Sequence, residues 1–354
     1  MQPLLLAALL CGLAAPSAGQ KNGLPSDRPL NIAHRGASGE LPEHTKEAYS
    51  RAIEQGADFI ECDVVLTKDL VPICRHEPDL NDTTDAFAKF PNLLTTYIID
   101  GEEFEGIFST DMTLEEVKTL RAVQSREYRD PNFDGMFEVP TLAEYIDIAL
   151  AADRVIGIYP ETKHPSWHNS LDIMPEGTRM SDIVLGVLSD KGYGGDVESD
   201  TWAAQPVYIQ SFEVGNLKYL SNITDIPLVQ LLGGWEGYVT PDTNQTHQAI
   251  TTDEGLDDIA SYASGVGPWK DTIIATTADG YSDVEGATDL VQRLHDRGLQ
   301  VHPYTFRNED RFLSWTWGQD YAREYTEFID NQDIDGLFTD FPGSLAKYFV
   351  NKAN

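Results

Sequence analysis

Residues 29–66 read PLNIAHRGASGELPEHTKEAYSRAIEQGADFIECDVVL, a strand, a turn, a helix and a second strand in succession. Pro29 to Ala33 is a short apolar run that ends at His34 and Arg35, where Gly36 and Gly39 mark a turn. Pro42, Glu43 and His44 open a helical stretch reaching Ala57, with Ala48, Ala52, Ile53 and Ala57 at helical spacing. Asp58 to Leu66 is the second strand; side chains two apart on a strand share a face, so Glu61 and Asp63 point the same way. The chain turns at Lys68-Asp69 and returns through Val71 to His76.

Beyond His76 the rhythm breaks. Residues 77–139 are polar and rich in turn signals, with one helix signal, TLEEVKTL, after Asp111; they read as an insertion and not as a linker to a new domain. Alternation resumes at Thr141, whose TLAE is a capping box for a helix through Leu150. Strands follow over 155–161, 207–210, 226–231, 264–267, 299–304 and 334–339, separated by helical stretches near 182–191, 213–220, 256–262, 288–297 and 321–329, with a last helix over 344–349. Eight strands, nearly all followed by a helix, predict a (β/α)8 barrel in one domain, residues 20–354.

His34, Glu61 with Asp63, Glu161, Gln210, Tyr304 and Asp340 all fall at or near the C-terminal ends of those strands, the face on which such barrels build active sites. Glu61, Asp63 and Glu161 are three hard oxygen donors from adjacent strands, the donor set of Mg2+ or Ca2+ and too carboxylate-rich for structural zinc. His34 and His76 titrate near neutrality and suit a general acid and base. Arg35 offers a planar fork to a phosphate, and Lys163 adds a point charge two residues after Glu161. These are the ingredients of metal-assisted phosphoryl transfer. His164 and His168 have metal-pair spacing, but Pro165 bars one regular helix through both, and they read with Trp167 as a loop. Trp315 and Trp317 read as packing residues and His302 as a satisfied core histidine.

At 354 residues and 41% hydrophobic content, the chain can bury a sizeable core. A formal net charge of -33 repels nucleic acid and anionic membrane surfaces, so an anionic substrate has to be small and met by a locally basic pocket. Leu4 to Ala15 is almost unbroken Leu and Ala before Ser17, Ala18 and Gly19, which predicts a signal peptide over 1–19 and a secreted protein. Leu10 before Cys11 speaks against a lipoprotein signal. No later stretch has the length of a membrane helix. Asn81, Asn222 and Asn244 each head a glycosylation sequon. Cys62 and Cys74 lie on neighbouring strands in an oxidising compartment, which suggests a disulfide; yet if His76 shares the face of Glu61 and Asp63, so does Cys74, while Cys62 points away. Alternation therefore predicts free thiols.

The blocks HRGASGELPEHT (34–45), ECDVVLTKD (61–69), IGIYPETK (156–163), GVGP (265–268), VHPYT (301–305) and GLFTDFP (336–342) together resemble the glycerophosphodiester phosphodiesterase family, in its long periplasmic bacterial and secreted plant-type branch. The resemblance implies a barrel with an insertion after strand two. It also implies hydrolysis of glycerophosphodiesters such as glycerophosphocholine and glycerophosphoethanolamine to sn-glycerol 3-phosphate and an alcohol, with one divalent cation. By the same resemblance His34 and His76 match the catalytic pair, Arg35 the phosphate-binding arginine, and Glu61, Asp63 and Glu161 the metal ligands. Lys163, Gln210 and Tyr304 fall where the family binds substrate. Two departures are Glu77, where many relatives carry Asp, and Tyr304, where shorter relatives carry Trp. The rival readings are a phospholipase D-like lyase acting on lysolipids, against which the acidic surface speaks, and a dead barrel serving as a binding module, against which every filled catalytic position speaks.

Overall fold

The computed structural model describes residues 23–353; the signal-peptide stretch and Cys11 lie outside them. Strand β1 (Leu30–Ala33) is buried along its whole length and pairs in parallel with β2 (Phe59–Leu66), Ile32 opposite Phe59. Between them Arg35 and Gly36 take left-handed φ values of 59° and 82°. A Cβ on Gly36 would lie 2.7 Å from the carbonyl carbon of Ala48, so the turn needs glycine both for its backbone and for its approach to the helix. That helix, Lys46–Glu54, starts later than Pro42, because the Thr45 side chain accepts from Ala48 N and caps it there. His44, left-handed at φ 54°, thereby falls in the turn, where its N–H bonds Arg35 O.

Strand β3 (Pro72–Cys74) returns antiparallel along β2. The chain then makes the hairpin β4 (Thr95–Ile99) and β5 (Glu102–Gly106), and Leu80, Ile107, Met112, Val117, Leu120 and Val139 form a small core with Val65 of the barrel wall and Ile73 of β3. The helix Leu142–Ala151 opens on the expected Thr141/Glu144 capping box. It leads into β6 (Gly157–Thr162), then β7 (Ile209–Ser211), β8 (Leu228–Leu232), β9 (Gly265–Pro268), β10 (Gln300–Val301) and β11 (Gly336–Thr339).

The parallel order runs β10-β9-β8-β7-β6-β2-β1-β11. The ring closes through hydrogen bonds from Asp335 N to Val301 O, Phe338 N to Pro303 O and Phe306 N to Phe338 O. The chain is an eight-stranded (β/α)8 barrel. Regular β10 ends at Val301, short of the Tyr304 expected from the sequence, since Pro303 offers no N–H to the ladder.

Alternation divides each strand. Ile32, Phe59, Tyr159, Tyr208, Val229 and Phe338 fill the barrel interior, while Ala33, Ile60, Cys62, Ile158, Ile209 and Leu228 pack outward against the helices. Continuing the inward series toward the C-terminal rim gives Glu61, Asp63, Glu161 and Gln210.

The free-thiol expectation is overturned: Cys62 and Cys74 form a disulfide, their Cα atoms 5.7 Å apart. The hairpin register sets Cys74 opposite Val64, so Cys74 shares the outward face of Cys62. His76 belongs to neither face, because β3 has already ended at Cys74 and the following residues bend into the rim.

Among the described residues no helix is long and apolar enough to cross a membrane. Of the sequon asparagines, Asn222 and Asn244 are exposed and Asn81 is half-buried. Trp317 packs on Phe328 as expected, whereas Trp315 stands exposed. His302 is buried and bonded at Nδ1 to Tyr159 OH at 2.8 Å, but its Nε2 has no hydrogen-bond partner among the described residues, so it is only half satisfied.

Candidate active site

A cleft of about 590 Å³ opens at the C-terminal rim, and its lining includes His34, Arg35, Asp63, His76, Glu161, Lys163, Gln210 and Tyr304, eight of the nine residues expected at the site. The ninth, Glu61, lies beneath. Carboxylate oxygens of Glu61, Asp63 and Glu161 all come within 4.8 Å of one another, every one of them buried. The register of β2 against β6 places Asp63 beside Glu161, and Glu161 in turn pairs with Gln210.

Three carboxylates so close cannot all hold charge without compensation. Burial and the repulsion of Asp63 and Glu161 push the Glu61 carboxyl well above its usual range. Burial, opposed by Lys163 but reinforced by Asp63, raises Glu161 to about 8. Asp63 stays well below its usual range despite burial, being faced by His76, His44, Lys163 and Arg35. Glu61 Oε2 accepts from Arg35 N at 2.6 Å, but Oε1 is buried without a hydrogen-bond partner among the described residues. A hard-oxygen cluster with a missing positive charge and a free lone pair fits a divalent cation.

Positive groups stand around this cluster. Arg35 reaches Glu43 with Nη1 at 2.9 Å and Asp63 with Nε at 3.4 Å, and these carboxylates raise its already high pKa in spite of burial. Lys163 Nζ lies 3.2 Å from Glu161. His34 Nδ1 lies 2.6 Å from Asp340 Oδ1, leaving Nε2 outside that bond. Burial and the Arg35 charge, opposed by Asp340, take His34 down to about 4, so at neutral pH its ring is a neutral acceptor. Asp340 Oδ2 receives Arg129 Nη2 at 2.5 Å and Arg307 Nε at 2.8 Å. On the other side His76 Nδ1 lies 3.0 Å from Glu77.

Several of these partners were not legible as site residues. His44 bonds Asp63 at 2.8 Å and Glu43 bonds Arg35, although both read as the start of a helix. Arg129 comes from the irregular insertion. His164, expected in a loop, sits left-handed at the cleft edge and bridges Asp100 (2.6 Å) and Glu77 (2.8 Å). Burial lowers its pKa, but those two acids outweigh it and raise it to about 9. His168 turns away: it lies fully buried in the short helix Pro165–Asn169 that Pro165 begins. Glu77 touches both His76 and His164 and so acts on the site through them.

A carboxylate cluster fit for a cation, positive side chains fit for an anion and imidazoles flanking both suit, on this barrel rim, a phosphoric diester hydrolase. Comparison with known proteins narrows the class. A model of the glycerophosphoryl diester phosphodiesterase family matches residues 34–344, and the chain belongs to that family. It is 45% identical to the glycerophosphodiester phosphodiesterase GDPD6 of Arabidopsis thaliana over 98% of this chain and 95% of that one. It is 30% identical to a glycerophosphodiester phosphodiesterase of Haemophilus influenzae, over 98% and 96%. Among solved structures, an Oleispira antarctica phosphodiesterase in complex with the product sn-glycerol-3-phosphate shares the fold with a TM-score of 0.59 at 20% identity, over 92% of this chain and 98% of that one. The family reaction is hydrolysis of glycerophosphodiesters.

Proposed function

We propose that this enzyme hydrolyses small glycerophosphodiesters, glycerophosphocholine and glycerophosphoethanolamine among them, to sn-glycerol 3-phosphate and an alcohol, with one Ca2+ or Mg2+ held by Glu61, Asp63 and Glu161. The observation that carries the reading is the juxtaposition of that buried carboxylate cluster with His34, His76, Arg35 and Lys163 on one cleft. When bound, the cation supplies Lewis-acid charge to the phosphodiester and lowers the pKa of an oxygen near it.

The chain's own residues do the rest. Arg35 and Lys163 neutralise the phosphodiester oxygens. One of His34 and His76 takes the proton of the glycerol 2-hydroxyl as that oxygen attacks phosphorus. The other gives a proton to the departing alkoxide, and water opens the resulting cyclic phosphate with the two roles exchanged. Asp340 holds the His34 ring through Nδ1, and Glu77 does the same for His76. Gln210 Oε1, buried in the cleft wall without a hydrogen-bond partner among the described residues, suits a substrate hydroxyl, while Tyr304 gives its own hydroxyl to Leu232 O at 3.0 Å and offers substrate only its ring.

We place the enzyme outside the cell, glycosylated at Asn222, Asn244 and Asn81, on the strength of the apolar leader and the sequons. The test of the reaction is turnover of a panel of glycerophosphodiesters after chelation, with single-metal add-back. Activity that returns with Ca2+ or Mg2+, and is lost in both His34→Ala and His76→Ala, is expected. Near-normal turnover by both variants overturns the assignment.

A further inference from the structure

Five aromatic side chains stand on successive strand ends along one side of the cleft: Phe212 after β7, Trp235 and Tyr238 after β8, Trp269 after β9 and Tyr304 after β10. They form one connected wall. Ring centroids are 6.4 Å apart for Phe212–Trp235, 6.1 Å for Phe212–Tyr304, 4.9 Å for Trp235–Tyr238 and 6.1 Å for Trp235–Trp269. The wall begins at the anion-binding end, where Lys163 Nζ lies 5.9 Å from the Phe212 centroid, and runs out to Trp235, which keeps 48% of its surface open to solvent. Nothing in the barrel core requires a half-exposed tryptophan there.

The charge along this side is mostly negative, although Asp100 is already paired with the His164 ring at 2.6 Å. From Gln210 to Thr305 no lysine or arginine lines the cleft, whereas Glu213 does, as do Asp100 and Glu102 from the insertion hairpin. Glu213 is buried, held by Ser166 N at 3.0 Å. Burial above all, with Asp242 and Asp100 nearby, pushes it up to about 7 against the hydrogen bonds from Ser166. A neutral polyol gains nothing from π faces set in such a field. A cation without N–H donors gains from both, since ring quadrupoles and carboxylates attract it while it asks for no hydrogen bonds.

We propose that this wall is the subsite for the leaving alcohol and that it selects an alcohol carrying a quaternary ammonium group. The inference rests on the diester reading above and adds to it the selecting residues and the head-group class. Trp235 is the main contributor, because its exposed ring is free to stack on the cation.

The experiment compares kcat/KM for glycerophosphocholine with that for glycerophosphoglycerol in the wild-type enzyme, Trp235→Leu and Trp235→Phe. It also measures inhibition of glycerophosphoglycerol turnover by tetramethylammonium. The wild type is expected to favour the choline diester and to be inhibited competitively. Trp235→Leu, which keeps apolar bulk but removes the π face, lowers the choline-to-glycerol ratio about five- to tenfold, in the range of a cation–π contact, and weakens inhibition in step. Trp235→Phe stays within about twofold of wild type in that ratio. Equal ratios in all three enzymes, or equal loss with Leu and Phe, overturn the inference and leave the diester reading standing. Faster turnover of a lysophosphatidylcholine than of glycerophosphocholine assigns the wall to an acyl chain and also overturns it. Tetramethylammonium inhibition of the wild type needs no variant and decides the matter if the substitutions do not fold. Turnover of neither diester with any divalent cation removes the reading underneath.

Discussion

Asp340→Asn tests how the His34 ring is held. Two carboxylate oxygens meet three donors here: His34 Nδ1 on Oδ1, and Arg129 Nη2 and Arg307 Nε on Oδ2. An asparagine has one acceptor oxygen, and the two arginines can only donate. They claim that oxygen, which turns the amide NH2 toward His34. Nδ1 then becomes the acceptor, the proton moves to Nε2, and the nitrogen left for proton transfer already carries a hydrogen in whichever of the two steps it has to accept one. General acid–base catalysis contributes about 10²- to 10⁴-fold, so kcat should drop by about that factor. A pH profile separates this from a simple change in basicity. Asp340 is one of the influences that raise His34, so its neutralisation takes the ring further below about 4, and at pH 6–9 His34 stays neutral in both enzymes. A basicity effect alone leaves neutral-pH turnover intact, whereas the tautomer effect lowers it at every pH. Leaving the buried Arg129 and the half-buried Arg307 short of a counter-charge also costs up to about 3 kcal/mol, read as a lower denaturation midpoint. A folded Asp340→Asn enzyme with kcat within threefold of wild type at pH 7 refutes the reasoning.

Glu161→Gln removes a charge from the carboxylate cluster and is expected to weaken divalent-cation affinity by about 100-fold, on the scale of losing a ligand or its close support, as titration calorimetry on the folded protein reads directly. Loss of the Cys62–Cys74 link, with its sequence separation of 12, should cost about 3 kcal/mol of stability by the loop-entropy argument; a Cys62→Ala/Cys74→Ala enzyme whose urea midpoint matches wild type contradicts it. His168 is buried with neither ring nitrogen hydrogen-bonded among the described residues, and burial, with His164 nearby, lowers it to about 3. The unfolded chain protonates it near 6.5 and the folded one does not, so stability falls as pH falls from about 6.5 toward about 3; His168→Leu should flatten that limb by roughly one proton and leave stability at pH 7 undiminished, as urea melts at pH 7 and pH 5 will tell.

What could be read in the sequence depended on how local its cause was. Glu61, Asp63 and Glu161 were legible because a strand's two-residue period and its point of termination fix where a carboxylate emerges, and both are written in a few neighbouring residues. The cysteine pairing was misread because it depends on the hairpin register. That register is set by the tight turn at Leu70, left-handed at φ 62°, and a shift of one residue exchanges the two faces. Arg129 left no signal. It is an arginine in an irregular polar segment, and its partner Asp340 lies 211 residues away.

That last contact bears on what the insertion is for. Arg129 is buried and gives Nη1 to Ser38 O at 3.0 Å, in the turn that carries His34 and Arg35, while Nη2 goes to the carboxylate that holds His34. The same segment supplies Asp100 to His164, which in turn holds Glu77 beside His76. Each histidine is therefore oriented through a carboxylate that answers to the insertion. The barrel places the imidazoles at the rim, but a barrel of this sequence without residues 77–139 would lose the second layer that fixes their rings. A site on a rigid rim still needs such a layer to hold reacting groups within fractions of an ångström. The insertion does for His34 and His76 what strand register does for the three carboxylates.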